Sequence, residues 1–123
     1  MYDILIVDDA NIMRKTLKQL YTELGHNVVA EASNGFEAIE LYKEIKPTIV
    51  SLDITMPAVN GIHDGIEALE YILKYDPEAN VIMLTSHGEQ KLVMDAILKG
   101  AKGYVLKPAD KHKIQEAIEK LKL

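Results

Sequence analysis

No cysteine occurs in the 123 residues, so disulfides, thiol nucleophiles and cysteine-ligated metal sites are excluded. Positive charge is in short supply: 14 Lys and Arg face 19 Asp and Glu, for a formal charge of −5, which argues against a surface built for direct nucleic-acid contact. No apolar run approaches a membrane span, and the amino terminus enters DILIVDD without the basic and apolar regions of a secretory signal. Linkers, low-complexity tracts and charge blocks are also missing, which leaves no seam for a second domain. What is present is the composition of an ordinary globular chain, 48% hydrophobic and 27% charged, long enough for one substantial core. The expectation is a cytoplasmic protein with one domain over residues 1–123, no effector domain and no membrane insertion.

The stretch Thr48 to Pro57, TIVSLDITMP, organises the rest. Ile49, Val50, Leu52 and Ile54 are apolar and mostly β-branched without helical spacing, the pattern of a strand covered on both faces. Asp53 closes that run and Pro57 prevents its continuation. Before it, Tyr2 to Val7 reads as a strand ending in Asp8-Asp9. Met13, Leu17, Leu20, Tyr21 and Leu24 follow at helical spacing up to a Gly25 stop. His26 to Glu31 is a second strand, and Asn34-Gly-Phe-Glu37 has capping-box spacing ahead of Ile39, Tyr42 and Ile45. After the central strand, Asp64-Gly-Ile-Glu67 repeats that spacing before Ile66, Leu69, Ile72 and Leu73. Val81 to Leu84 exits at Thr85-Ser86, and Ser86-His-Gly-Glu89 reads as the cap of a helix carrying Leu92, Val93, Ala96 and Ile97. Tyr104 to Leu106 exits at Lys107-Pro108, and Asp110 starts a last helix with Ile114, Ala117, Ile118 and Leu121 inward. Five strands alternating with five helices predict an α/β fold, a parallel sheet with helices on both faces.

In a parallel sheet all strand exits share one edge, the edge where open α/β sheets bind ligands. Four of the five exits here carry polar reactive residues: Asp8 and Asp9, Asp53, Thr85, and Lys107. Converging carboxylates repel one another and are poised for a hard divalent cation; with no cysteine or paired histidines, all-oxygen ligation favours Mg2+ or Mn2+ over zinc. Lys107 adds a fixed positive charge and Thr85 a hydroxyl donor, both suited to phosphoryl oxygens. One carboxylate could then act as a nucleophile and form an acyl phosphate.

At these spacings VDDA (Val7 to Ala10), Asp53 within DITMP, Thr85-Ser86 and Tyr104-Val-Leu-Lys107-Pro108 make the whole chain resemble the response-regulator receiver domains, the CheY-like family. DDANIMRK resembles the chemotaxis-type regulators more than the DNA-binding ones. The resemblance implies a flavodoxin-like doubly wound (βα)5 three-layer sandwich with strand order 2-1-3-4-5. It implies that Asp53 accepts a phosphoryl group from a sensor histidine kinase or phosphotransfer protein. Asp9, Asp53 and the Thr55 carbonyl would hold Mg2+ directly, with Asp8 acting through water. Lys107 would pair with the phosphoryl group across a cis Lys107-Pro108 bond. Thr85 would move toward the phosphate and Tyr104 would turn inward, switching the face of the fourth helix, fifth strand and fifth helix that controls a separate partner protein. Thr55 and His87 fall where such domains tune the reaction rate. The AKGY stretch lacks the paired acids of regulators that dimerise through this face, so a monomer is expected.

Other functions fit less well. A Mg2+-dependent aspartyl-nucleophile phosphatase would carry a second Asp where this chain has Thr55, and a flavodoxin-like nucleotide binder would not have an acidic loop after its first strand. His63, His26 and His112 read as surface residues, and Met13, Met83 and Met94 as core-facing. Ala109 stands where an aromatic residue commonly follows Lys-Pro. The one internal repeat, Asn60-Gly-Ile-His63 followed by Asp64-Gly-Ile-Glu67, makes the loop after Asp53 four residues longer than the usual pattern. Two glycines, each costing about 1 kcal/mol inside a helix, predict that this extra segment swells the loop and does not lengthen the helix.

Overall fold

The computed structural model describes residues 1–123. Strands β1 (Asp3–Val7), β2 (Asn27–Ala32), β3 (Ile49–Asp53), β4 (Val81–Thr85) and β5 (Gly103–Leu106) pair in parallel in the order β2-β1-β3-β4-β5. Helices α1 (Asn11–Glu23), α2 (Gly35–Ile45), α3 (Gly65–Tyr75), α4 (Gln90–Leu98) and α5 (Lys111–Leu121) connect them. This is the flavodoxin-like doubly wound arrangement that the sequence implied. No helix is long and apolar enough to cross a membrane.

The central strands read as unbroken apolar runs because both of their faces are covered. Successive side chains point to opposite sides, so Ile4 and Ile6 meet Leu17 and Tyr21 of α1 and Ile114 and Ile118 of α5. Leu5 and Val7 face the other way, into the larger cluster with Ala38 and Tyr42 of α2, Ile66 and Leu69 of α3, and Val93 and Ala96 of α4. Caps set the helix starts as anticipated: the side chains of Asn34, Asp64 and Asp110 accept hydrogen bonds from the N–H groups of Glu37, Glu67 and Lys113.

Several local expectations are corrected. Ser86 does not cap α4: that helix begins at Gln90, and the intervening residues form a turn through Gly88 at φ +92. Met94 is 62% exposed and not core-facing, since only Val93 and Ala96 of α4 reach the sheet. Ile45, Leu92 and Ile97 are likewise exposed, on the outer flanks of their helices. His26 is half-buried: its Nδ1 accepts the Tyr2 N–H at 3.1 Å and its ring stacks on Tyr2, while burial holds its pKa below the ordinary histidine value. His63 is exposed, with Nδ1 2.6 Å from Glu67 Oε1, and His112 is exposed beside Glu116.

The extra segment, Asn60 to His63, is a loop, as expected, yet an ordered one. Val59 and Ile62 exchange both backbone hydrogen bonds at 3.0 Å around Asn60 (φ 49) and Gly61 (φ 82), a tight hairpin turn that needs the Asn-Gly pair. Ile62 folds back into the core, 8% exposed, over Gly35, where an added Cβ would lie 2.7 Å from Ile62 Cγ2. The second copy supplies the helix start and the first copy supplies the hairpin. Deleting Asn60 to His63 should therefore cost at most about 3 kcal/mol, the burial of one isoleucine, and leave Mg2+ affinity within a few-fold of the parent. Urea unfolding and a metal titration check both, and loss of metal binding on deletion would show that the hairpin builds the site.

Candidate functional site

Register brings the acids together. Val7 pairs with Leu52 and Asp53 with Leu84, so Asp8 emerges level with Asp53 on neighbouring strands. Thr85 pairs with Leu106, which sets Lys107 one residue past the next exit. Carboxylate oxygens of Asp8, Asp9 and Asp53 lie within 4.8 Å of one another, Asp8 and Asp53 buried and Asp9 exposed at the mouth. Lys107 Nζ sits 3.3 Å from both Asp8 Oδ2 and Asp53 Oδ1. The other Asp8 oxygen accepts the Ala10 N–H at 2.8 Å, which orients that carboxylate. The Lys107-Pro108 peptide is cis.

The electrostatics follow from burial. Burial pushes the Asp53 carboxyl up from 3.8 to about 6, Lys107 pulls it down, and the charge of Asp8 pushes it up again. For Lys107, burial works against the ammonium, but Asp53 and Asp8 outweigh it and hold its pKa above the ordinary lysine value. Two buried carboxylates thus share one lysine ammonium, with the exposed Asp9 carboxylate beside them. An all-oxygen donor set with surplus negative charge and a solvent-facing side fits Mg2+ or Mn2+.

Two residues escaped the reading of the sequence. Arg14 donates from Nη1 to the Asp8 carbonyl at 2.7 Å and pairs through Nε with Glu31 at 3.4 Å, bracing the acidic loop from behind. Its position one turn past Ala10 on α1 was the available signal. Glu89, read as part of a cap, accepts hydrogen bonds from Thr55 Oγ1, Thr85 Oγ1 and Ser86 N. Burial would raise its pKa, but those bonds more than offset it and hold the carboxyl below the ordinary glutamate value. Thr85 is buried, and Tyr104 is 54% exposed. His87 is exposed and borders a cavity of about 350 Å³ together with Thr85, Met94, Ile97 and Tyr104.

Residues 4–119 match the family described as the response regulator receiver domain. The chain belongs to that family. Its place is therefore in two-component signalling. The chemotaxis protein CheY of Listeria monocytogenes is 49% identical over 120 residues, covering 98% of both chains. CheY of Thermotoga maritima is 47% identical, covering 96% of this receiver domain and 95% of its own length. Among solved structures, a chain from the CheX-CheY-BeF3-Mg2+ complex of Borrelia burgdorferi superposes with a TM-score of 0.90 at 38% identity, over 99% of this receiver domain and 90% of that chain.

Proposed function

We propose that this receiver domain is a phosphorylation switch in which Asp53 accepts a phosphoryl group from a phosphohistidine of a sensor histidine kinase or phosphotransfer protein. The observation that carries this reading is the shared position of Lys107 Nζ, 3.3 Å from both Asp8 and Asp53, inside a cluster of three carboxylates. In the transfer an Asp53 oxygen forms an O–P bond as the P–N bond breaks, and the imidazole keeps the electron pair. Asp9, Asp53 and the Thr55 carbonyl would hold Mg2+, with Asp8 set one water further away. Bound Mg2+ supplies positive charge to the phosphoryl oxygens. Lys107 neutralises the charge left on the acyl phosphate, and Thr85 offers its hydroxyl to a phosphoryl oxygen. Burial suits Asp53 to this role, because a poorly solvated carboxylate is less shielded from an electrophile.

The output follows from the cavity beside Thr85. Tyr104 lines it, and a turn of that side chain inward would reshape the surface of α4, β5 and α5 for a separate protein partner. The Borrelia relative, whose complex contains CheX, BeF3 and Mg2+, supports both a phosphoryl-like ligand and a protein partner for such a chain. His87 borders the same cavity and would tune how fast water reaches the phosphoryl group.

With Mg2+ and acetyl phosphate, intact-mass measurement should give one phosphoryl adduct that chelator abolishes. Asp53→Asn should give none. Equal uptake by that variant would move the acceptor elsewhere and end this reading.

A further inference from the structure

Glu89 ties the exit of β3 to the exit of β4 across the mouth of the crevice. Its Oε2 accepts from Thr55 Oγ1 at 2.5 Å. Its Oε1 accepts from Thr85 Oγ1 at 3.1 Å and from Ser86 N at 2.6 Å. Donors from two adjacent residues thus converge on one anionic oxygen, in hydrogen bonds of the charge-assisted kind. Helix capping does not account for this. Glu89 occupies the cap position of α4 by its backbone, and its side chain makes no bond to the N–H groups of that helix.

The Thr85 hydroxyl and the Ser86 N–H form a small anion-binding corner. Thr85 follows Leu84, the partner of Asp53 across the β3–β4 ladder, so the corner lies one to two residues past the level of Asp53 on the neighbouring strand. We propose that the Glu89 carboxylate is an internal stand-in for a phosphoryl oxygen, holding the Thr85 and Ser86 donors while Asp53 is unmodified and releasing them when Asp53 carries a phosphoryl group. The inference rests on the reading of Asp53 as the phosphoacceptor. Two anions cannot both saturate the same two donors, and a phosphoryl group on Asp53 would also repel a carboxylate beside it. Release of Glu89 frees Thr55 in the same step, so the loops after β3 and β4 move together. Glu89 makes no hydrogen bond to Asp53 or Lys107, which makes it a positioning residue and sets the β4–α4 turn as the element that changes.

The test titrates the full chain, saturated with Mg2+, with beryllium fluoride as the phosphoryl mimic, following the Thr85 and Ser86 amide signals. Glu89→Ala is expected to bind the mimic about tenfold more tightly than the parent, the equivalent of one released charge-assisted hydrogen bond. Glu89→Gln, which keeps the shape but loses the charge, should fall between the two. A residue that merely supported the turn would weaken binding when removed, so the sign separates the roles. In a Thr85→Ala background the gain from Glu89→Ala should shrink to about threefold or less, because the two side chains act on each other. Unchanged or weaker binding in both Glu89 variants, or an undiminished gain without Thr85, overturns the inference. If the parent itself takes no beryllium fluoride with Mg2+ present, the phosphoacceptor reading fails and this inference goes with it.

Discussion

Gly65→Ala should destabilise the receiver domain by about 3 kcal/mol or more, the high end for a single substitution. A Cβ at Gly65 would lie 2.0 Å from the Asp53 carbonyl oxygen and 2.9 Å from both Asp53 C and Ile54 O. All three are backbone atoms, so no side chain can rotate away. The Gly65 N–H also donates to Ile54 O at 2.7 Å, which fastens the start of α3 to the end of β3. Relief requires α3 to shift, and α3 carries Ile66, Leu69 and Ile72 into the core. Because the overlap is with the carbonyl of Asp53 itself, Mg2+ affinity should fall along with stability. Gly61→Ala is the control: its φ of +82 strains an alanine, yet nothing lies within 4 Å of the new atom. That change should cost about 1 kcal/mol. Urea unfolding at constant slope separates them, and a loss below 1 kcal/mol for Gly65→Ala would show that the helix start slides freely.

Lys107→Met and Asp53→Asn should move metal-free stability in opposite directions. Lys107 is the only cation bonded to two buried carboxylates, and its removal leaves both uncompensated, at a cost of about 3 kcal/mol in chelator at pH 7. Asp53→Asn removes a charge that burial disfavours. Its folded-state pKa of about 6 lies above the ordinary 3.8, so the folded protein holds that proton more tightly than the unfolded chain. Stability of the parent without metal should therefore fall as the pH rises from about 4 to about 6, with a penalty on the order of 2–3 kcal/mol fully present above that window. Asparagine escapes the penalty, so Asp53→Asn should be the more stable protein at pH 7 in chelator and should lose that advantage near pH 4. Added Mg2+ should stabilise the parent by mass action and rescue part of the Lys107→Met defect. Chemical denaturation at pH 4.5 and 7.5, with and without Mg2+, reads all of these. A less stable Asp53→Asn at pH 7 without metal would contradict the electrostatics described for the crevice.

Much of the site was legible because a parallel sheet converts chain position into spatial position. Asp8, Asp9, Asp53, Thr85 and Lys107 each sit at or just past a strand exit, and short apolar runs between turn signals mark those strands. Arg14 and Glu89 were not legible. Their partners are backbone groups and hydroxyls on other elements, and such pairings leave no periodic trace in the chain. Glu89 in particular has the spacing of a helix cap, and a local reading takes a local partner.

The sequence by itself determined the fold class, the number of elements, the helix starts at Asn34, Asp64 and Asp110, and the edge where the acids gather. Those features follow from local propensity and from the side-chain period, which act over a few neighbouring residues. Only the tertiary structure decided that Met94 faces outward and His26 is half-buried, because burial depends on which flank of an element meets the sheet. It alone decided that the inserted Ile62 closes over Gly35, and that Glu89 reaches from the β4 exit to Thr55. Those contacts join residues dozens of positions apart, and packing, not pattern, selects them.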